Sequence, residues 1–411
     1  MRVTDRILQQ TFLYNLGKHK VDMQTMQEQI ATGSKVNRPS DSPASASRIL
    51  RLQSQLTGIS TFQKNIVGAQ SSLDASVLSL EGISSEIQNV LVNMTSLNNA
   101  SVTDLSSYST KLEMSIDAIL NFANSKFDGQ YIFGGTNNSN DPFVRNGSTI
   151  DASSNNLSGE QKIRISSNIS QKINITGNEL FTPTLKQTGN LNSAMAVGDS
   201  VNNISKILDP NGNEYEFNTT ITKTAANAYT YNYDIVDSNS NSIKSGSHSL
   251  SFNTGGSLST IDGNPPTDLF IQDAATGINL GLNLTSLTEG SSASVIYSKQ
   301  TQKADIFKTL IAIKEGLANG QKPNTNQISI IEEFSQHAIN KTSEAGSIMN
   351  KLESTNDLLT NQTIELQELL SKEKDVDLAE AIMQMNNTQF NLDMGYKISS
   401  MILPKSLMDF L

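Results

Sequence analysis

The sequence predicts an α+β protein in which the N- and C-terminal regions form a long, coiled-coil-like helical bundle and a β-rich region is inserted between them. Two long stretches carry apolar residues at alternating steps of four and three, the period of a coiled-coil seam. Between these stretches, residues 141–298 change to a period of two, which is typical of strands.

The first seam lies between Pro43 and Asn98, and ten of its fourteen positions are apolar. A helix of this length would extend over roughly 80 Å, which is long for a compact domain. Gly58, Gly68 and Gly82 each disfavour an isolated helix by about 1 kcal/mol, so we expect the helix to form only against neighbours. A helix of a compact bundle is the alternative. The seam positions are Leu52, Leu56, Ile59, Gln63, Ile66, Gln70, Leu73, Val77, Leu80, Ser84, Ile87, Leu91, Met94 and Asn98.

Composition and charge exclude several classes of protein. The formal net charge of -10 argues against nucleic-acid binding, which requires basic patches. The chain has no cysteine, which excludes a disulfide scaffold, a zinc ribbon and thiol catalysis. No long apolar run predicts membrane insertion. The polar residues of the N-terminal stretch do not fit a secretory signal, so any export should use a route without a cleaved signal.

Residues 1–33 predict a terminal helix, because apolar residues recur there at steps of four and three and Gly33 can end it. A connector follows, in which Ser42 is the expected N-cap and Pro43 the first residue of the long helix. The stripe of the terminal helix contains Phe12, Leu16, His19, Met23, Met26 and Ile30.

A third helix is predicted from Leu105 to Phe122. After it, Asp128 and Gly129 predict a turn, and residues 131–133 a short strand. The pair Gly134–Gly135 lets the backbone bend or be approached closely. Since no lysine follows these glycines, the segment does not fit a phosphate-binding loop.

The middle of the chain predicts one or two small β-rich domains. Alternating apolar residues predict strands over 163–175, 229–233 and 278–284. Asp209 opens a stretch with the initial spacing of a calcium loop, but Glu214 and Thr220 stand where glycine and glutamate are required. We therefore interpret Asp209 as part of a simple turn, and predict no metal site and no cofactor.

Helical periodicity returns near residue 301. A second long seam follows as a natural partner of the first, and its step slips at the charge cluster 372–375. It resumes at Leu378, Ile382, Met385, Gln389 and Leu392. The seam before the slip contains Ile348, Leu352, Thr355, Leu359, Gln362, Leu366 and Leu369.

The connector between the first two helices resembles a loop of the bacterial flagellin family. The similarity extends from Gly33 to Pro43 and is too long for composition alone to produce. The segment 128–136 resembles the hook-associated branch of that family more than filament flagellin, as does the ending Ser406–Leu411. The residues that carry the resemblance are Asn37, Arg38, Pro39, Ser40, Asp41, Pro43, Asp128, Gly129, Tyr131, Phe133, Gly134 and Gly135.

The resemblance covers about residues 1–136 and 301–411. Together with the periodicity it implies a terminal helix and connector over 1–42 that pairs with 372–411 in the inner layer of a tube. Residues 43–136 and 301–371 would form a helical rod, and residues 137–300 an inserted β-rich outer domain.

By resemblance, the chain is a structural protein of the bacterial flagellum that joins the hook to the flagellin filament and so serves motility. It would be exported unfolded by the flagellar type III system and would assemble outside the cell. The implied partners are hook-associated protein 1, flagellin, further copies of the chain and a flagellar export chaperone.

We expect the terminal helices to be disordered in the free subunit and to pair on assembly, because each exposes apolar surface that the other cannot cover. A charge in the C-terminal stripe should then block assembly. The predicted assembly contacts are Leu8, Phe12, Leu16, Met23, Met26, Ile30, Leu378, Ile382, Met385, Phe390, Leu392 and Leu407.

Three other functions are alternatives. Filament flagellin is the nearest, since it shares the helical ends. A secreted adhesin with a coiled-coil stalk would not need paired termini or the connector loop. An enzyme is disfavoured because the sequence contains no nucleophile motif and no metal-ligand spacing.

Overall fold

The computed structural model describes residues 2–99, 105–137, 139–152 and 157–402. They divide into two compact units, which are described separately. The first combines the described parts of Met1–Asn65 and Ser354–Leu411, and the second those of Ile66–Glu353. Both dividing points fall inside long helices.

Helices dominate both ends of the described chain, as the sequence predicts. The two longest begin and end close to their predicted limits, and three residues, 375–377, separate the last two. The helices are α1 (Arg2–Thr32), α2 (Pro43–Asn99), α3 (Ser106–Ala123), α4 (Gly177–Phe181), α5 (Ile306–Ala318), α6 (Thr325–Lys374) and α7 (Leu378–Ile402).

Strands fill the region between α3 and α5. The predicted α+β class, with long terminal helices and a central β-rich region, is therefore confirmed. The strands are β1 (Lys126–Phe127), β2 (Gln130–Tyr131), β3 (Phe143–Asn146), β4 (Thr149–Ala152), β5 (Lys162–Arg164), β6 (Ser170–Lys172), β7 (Thr184–Asn192), β8 (Ser200–Leu208), β9 (Glu214–Ala225), β10 (Ala228–Val236), β11 (Ser242–Phe252), β12 (Leu258–Ile261), β13 (Leu269–Gln272), β14 (Asn279–Gly290) and β15 (Val295–Gln300).

The predicted seam of α2 is the side of the helix that packs. Every seam position whose side chain is described is buried or half-buried. Within the second unit, α2 also buries the residue that precedes every second seam position. Three of every seven positions of the helix therefore face inward. This wider face fits contact with more than one helix. At Gly82 an added Cβ would lie 2.6 Å from the Phe122 ring of α3. The second line contains Ala69, Ser76, Ile83, Val90 and Leu97.

The seam of α6 departs from its prediction after Leu359. Gln362 and Leu369 are exposed, whereas Thr363, Leu366 and Leu370 are half-buried. Two successive steps of four shift the buried side by one position, which is the stutter that realigns a helix of 3.6 residues per turn with its partner. The step therefore slips before the charge cluster at 372–375, where α6 ends.

Two sheets form a β-sandwich around one apolar core. One sheet has the order β12-β11-β10-β9-β8 and the other β13-β14-β7-β15. The alternating tyrosines of β10 and the apolar residues 278–284, whose period predicted strands, point into the core. The strand period over 163–175 corresponds to two short strands: β5 and β6 pair as a hairpin, and Ile169 at its turn is exposed.

Asp209 lies in a turn, where its carboxylate accepts hydrogen bonds from the backbone nitrogen and the side-chain nitrogen of Asn213, both at 2.8 Å. Among the described residues no cluster of His, Cys, Asp and Glu side chains is suited to hold a metal. The described helices also lack the combined length and hydropathy that a bilayer span requires.

Candidate assembly interface

Helices α1 and α7 pack against each other within the first unit. On α1 the contact side consists of half-buried residues of the predicted stripe, including Phe12, Leu16, Met23, Met26 and Ile30. On α7 the buried or half-buried positions follow steps of four and three: Ala381, Met385, Thr388, Leu392, Gly395 and Ser399. The Thr388 hydroxyl contacts the Met26 sulfur at 3.9 Å.

The contact side of α7 differs from the predicted stripe. Met385 and Leu392 face α1, but Leu378, Ile382 and Phe390 are 50%, 44% and 63% exposed. The prediction followed the large apolar residues, whereas close packing selects small ones. Ala381, Thr388 and Gly395 allow the two backbones to approach, as small residues do at tight helix contacts.

The pair has little core of its own. None of the described side chains of α1 is fully buried. Because hydrophobic stabilisation grows with the apolar area removed from water, this contact alone stabilises the two helices weakly.

Each helix also carries apolar residues on the side turned away from its partner. On α1, Ile7, Tyr14 and Val21 are 57%, 73% and 59% exposed and lie seven residues apart. On α7, the exposed residues Met383, Phe390 and Met394 share the corresponding side. We call these two sets the outer lines. Sequence reasoning named Phe390 but missed the rest, although a seven-residue recurrence of large apolar residues would have shown the α1 set.

Two predicted contact residues, Leu8 and Leu407, have no described side chain, so neither can be assigned to a side of the pair. The backbone of Leu8 belongs to α1, but its side chain lies outside the described part of the structure. Leu407 lies outside the described residues altogether.

The connector that follows α1 is held against the break between α6 and α7. Ser34 and Asp375 form an antiparallel bridge. The Lys35 amide donates to the Lys374 carbonyl at 2.6 Å, and the Val376 amide donates to the Gly33 carbonyl at 3.0 Å. Gly33 has a φ of 69°, as expected for a glycine that ends a helix. The two chain reversals thus fix each other.

The signature residues of the connector form a turn closed by Asp41. Its carboxylate accepts from the backbone nitrogens of Asn37 at 3.0 Å and Arg38 at 2.8 Å. These hydrogen bonds, that of Arg38 first, lower the pKa of Asp41 below its usual value. The turn contains Pro39 and Ser40, and Ser42 then caps α2 by accepting from the Ser45 amide at 3.3 Å, with Pro43 as the first helical residue.

The second signature segment is a hairpin that leads into an aromatic core in the second unit. Asp128 and Gly129 both have positive φ, 48° and 75°, and form the two-residue turn between β1 and β2. The strand ends at Tyr131 rather than at Phe133 as predicted. Phe133 is fully buried, and its carbonyl accepts from the Gly177 amide at 2.9 Å.

Gly135 allows this segment to pass close to another backbone. Gly135 has a φ of 63°, and an added Cβ would lie 3.0 Å from the nitrogen of Gly159. The ring of Phe133 meets Phe181 edge-on at 6.3 Å, and Phe181 stacks on Phe307 at 5.1 Å. The aromatic–Gly–Gly sequence is therefore part of a packed core.

Comparison with protein families matches both ends of the chain. A model of the bacterial flagellin N-terminal helical region matches residues 3–138, and one of the bacterial flagellin C-terminal helical region matches residues 328–411. Together they span 220 of the 411 residues.

The chain belongs to the bacterial flagellin family.

This membership confirms the resemblance predicted from the connector and identifies the chain as a structural component of the bacterial flagellum. The two matches include α1, α2, α3, α7 and most of α6, so they contain the helical pair, the connector and the 128–135 hairpin. Residues 139–327, which hold the sandwich, lie between them.

Solved structures of other flagellar proteins are similar to this flagellin-family chain. FlgL of Xanthomonas campestris is 17% identical, covers 78% of this chain and 99% of its own, and has a TM-score of 0.46. Flagellar hook associated protein-3 of Legionella pneumophila is 16% identical, covers 79% of this chain and 98% of its own, and has a TM-score of 0.48. The flagellar junction protein FlgL of Legionella pneumophila is 15% identical, covers 80% of this chain and 99% of its own, and has a TM-score of 0.44. A search of curated proteins finds no match.

Proposed function

We propose that this chain is a junction protein of the flagellum, equivalent to hook-associated protein 3, which polymerises through α1 and α7 between the hook and the flagellin filament. The observation that carries the proposal is the pair of outer lines. Each helix has apolar residues on two opposite sides, and the α1–α7 contact covers only one of them. The other side of each helix remains an exposed apolar surface. In a soluble protein, such surface marks an interaction site.

The outer lines are suited to contacts between copies of the chain. Residues on opposite sides of the same pair can contact different neighbours, and such heterologous contacts build tubes or helical arrays rather than closed dimers. In the proposed assembly, residues 1–42 and 372–411 line the inner layer. Residues 43–136 and 301–371 form the surrounding rod, and residues 137–300 face outward.

The hairpin that ends in Phe133, Gly134 and Gly135 supports a junction role over that of filament flagellin. The aromatic–Gly–Gly sequence resembles the hook-associated branch, and here the ring of Phe133 and the backbone of Gly135 are both used in packing. Proximal contacts would be made with hook-associated protein 1 and distal contacts with flagellin.

Export in an unfolded state suits this chain. It has no cysteine and hence no disulfide to prevent unfolding. The thin core of the α1–α7 pair favours ordering of both helices only when neighbours cover the outer lines. A dedicated chaperone would cover the apolar residues of α7 while they lack these neighbours, and the flagellar type III system would deliver the chain to its extracellular position.

Deletion of the gene tests the proposal. Loss of a junction protein should leave cells with hooks that carry hook-associated protein 1 but no filament, with flagellin released into the medium. Antibody against residues 137–300 should label one narrow band between hook and filament. Labelling along the whole filament would identify the chain as filament flagellin, and normal filaments in the deletion strain would contradict both roles.

A further inference from the structure

The second unit contains an open polar cavity that assembly does not use. Its volume is about 760 Å³, within the range of small-molecule sites. One wall comes from residues 176–184, at and around α4, and the other from residues 266–285 of the sandwich. Threonine, asparagine and carboxylate side chains supply most of the lining.

Phe270 gives this cavity an exposed aromatic surface. It pairs with Gly281 across β13 and β14, and an added Cβ on Gly281 would lie 3.8 Å from Cε1 of Phe270. The ring therefore rests over the glycine backbone, which holds it in place. It is nevertheless 49% exposed and lines the cavity. An aromatic ring fixed in this way can stack on a ligand without first becoming ordered.

Asp268 supplies a positioned acceptor two residues before the ring. Its Oδ1 accepts from Asn283 Nδ2 at 2.5 Å. The carboxyl is partly enclosed, and this burial raises its pKa above the usual value. A carboxylate has about four acceptor positions, so Asp268 can bond further donors. Asn178, on the opposite wall, offers an amide.

The charge of the cavity is largely balanced. Glu160 pairs with Lys162 at 2.7 Å, and Glu179 pairs with Lys172 at 2.5 Å. Two of the three lining carboxylates are thus neutralised by the protein itself. A strongly basic peptide would find little uncompensated charge here, whereas a neutral ligand rich in hydroxyl groups would find acceptors and donors on both walls.

From this arrangement we infer that the cavity binds a neutral oligosaccharide. The ring of Phe270 stacks on the C–H face of a sugar, because the negative face of an aromatic ring attracts the positive edge of C–H bonds. Asp268 accepts from a pair of sugar hydroxyl groups, and Asn178 bonds the sugar from the other side. Asn283 positions Asp268.

Titration of the full-length chain with maltotriose, cellotriose, chitotriose and mannotriose tests the inference. At least one should bind, and Phe270→Ala should weaken that binding by about tenfold, the effect of losing one aromatic contact. Asp268→Asn should also weaken it. Phe270→Tyr should retain it, because the ring remains.

Tyr297→Ala provides the matched control. Tyr297 is an aromatic residue of β15 in the same sandwich, is 66% exposed and lies outside this cavity. Its replacement should leave binding unchanged, and unaltered thermal unfolding of all variants would show that each is folded. The inference is overturned if none of the four sugars binds, if Phe270→Ala and Tyr297→Ala bind equally well, or if oligolysine binds in preference to every sugar. The measurement uses the soluble chain and does not depend on its role in the flagellum.

Discussion

Leu16 of α1 packs directly against Gly395 of α7: a Cβ added at Gly395 would lie 2.7 Å from Cδ1 of Leu16. The glycine weakens α7 as an isolated helix by about 1 kcal/mol relative to alanine. It persists at a position where the partner leaves no room for a side chain. The glycine thus lowers the helix propensity of α7 but allows α1 to pack closely against it.

Replacement of Gly395 by valine should therefore weaken the pair. The added methyl groups would push Leu16 away, an overpacking effect of about 1–3 kcal/mol. Gly17→Ala on α1 is the matched control, because no atom lies within 4 Å of its added Cβ and it should only gain helix propensity. Filament formation in cells that carry each variant measures the outcome, and equal behaviour of the two would contradict the assigned contact.

Phe390→Asp should prevent assembly while leaving α1 and α7 able to pair, because Phe390 belongs to an outer line. Leu392→Asp should prevent the pairing itself, since Leu392 is 3% exposed and faces α1. Asn391→Asp introduces the same charge at an exposed neighbouring position and should assemble. Motility and filament length in strains expressing each variant provide the measurement. Normal filaments with Phe390→Asp would show that the outer line makes no contact.

Amide exchange on the free subunit should separate the two kinds of helix. The described part of α1 has no fully buried side chain, whereas α2 buries Ile66, Leu73 and Leu80 completely. Because local opening is easiest where few apolar contacts oppose it, α1 and α7 should exchange within seconds and α2 residues 66–97 should be protected. Strong protection at Ile30 or Leu392 would contradict folding on assembly.

Sequence periodicity predicted the packing of α2 well, because large apolar residues occupy ten of the fourteen seam positions. It was partly right on α7: Met385 and Leu392 face α1 as predicted, but the rest of the contact runs through Ala381, Thr388 and Gly395. Small residues carry little hydrophobic signal, and their role becomes visible only once the partner helix is in place. The stutter in α6 after Leu359 was not predicted for a related reason. Leu369 is apolar and fits the uninterrupted four–three step, although it is exposed in the structure.

The sandwich illustrates a second limit. Alternation indicated strands β10 and β14, but no local pattern shows that β14 pairs in parallel with β7. The entire other sheet, from β8 to β12, lies between them in sequence. Pairing of this kind depends on contacts remote along the chain. For the same reason the sequence does not predict the cavity beside Phe270, because the two walls of this cavity meet only through that strand pairing.

The signature glycine Gly135 offers a test of the aromatic core. Gly135→Ala should destabilise the second unit through both its left-handed backbone and the 3.0 Å approach to Gly159. Gly147→Ala is matched to it, since Gly147 has a φ of 64° but an open surrounding, and should lose only about 1–2 kcal/mol from backbone conformation. Urea unfolding of the two variants isolates the contribution of the close approach. An equal loss would mean that the backbone near Gly159 moves freely.

Acid should destabilise the second unit through His337 of α6. Its Nε2–H donates to the Glu179 carbonyl at 2.7 Å, and the residue is 8% exposed. Burial, the largest cause, lowers the pKa of His337 below its ordinary value. The hydrogen bond to Glu179 opposes this shift, and Lys341 adds a smaller lowering contribution. The folded state therefore favours the neutral ring. Its contribution to stability is complete above the unfolded pKa of about 6.5 and is lost as the pH falls through the lower folded value.

His337→Gln removes this titration while keeping a side-chain donor. The free energy of unfolding, measured in urea from pH 7 to pH 5, should fall less steeply in this variant than in the natural chain. His248→Gln, which replaces the histidine that pairs with Asp262 on the sandwich, should retain the loss that His337 causes. If His337→Gln loses stability on acidification as steeply as the natural chain, another group controls the acid response.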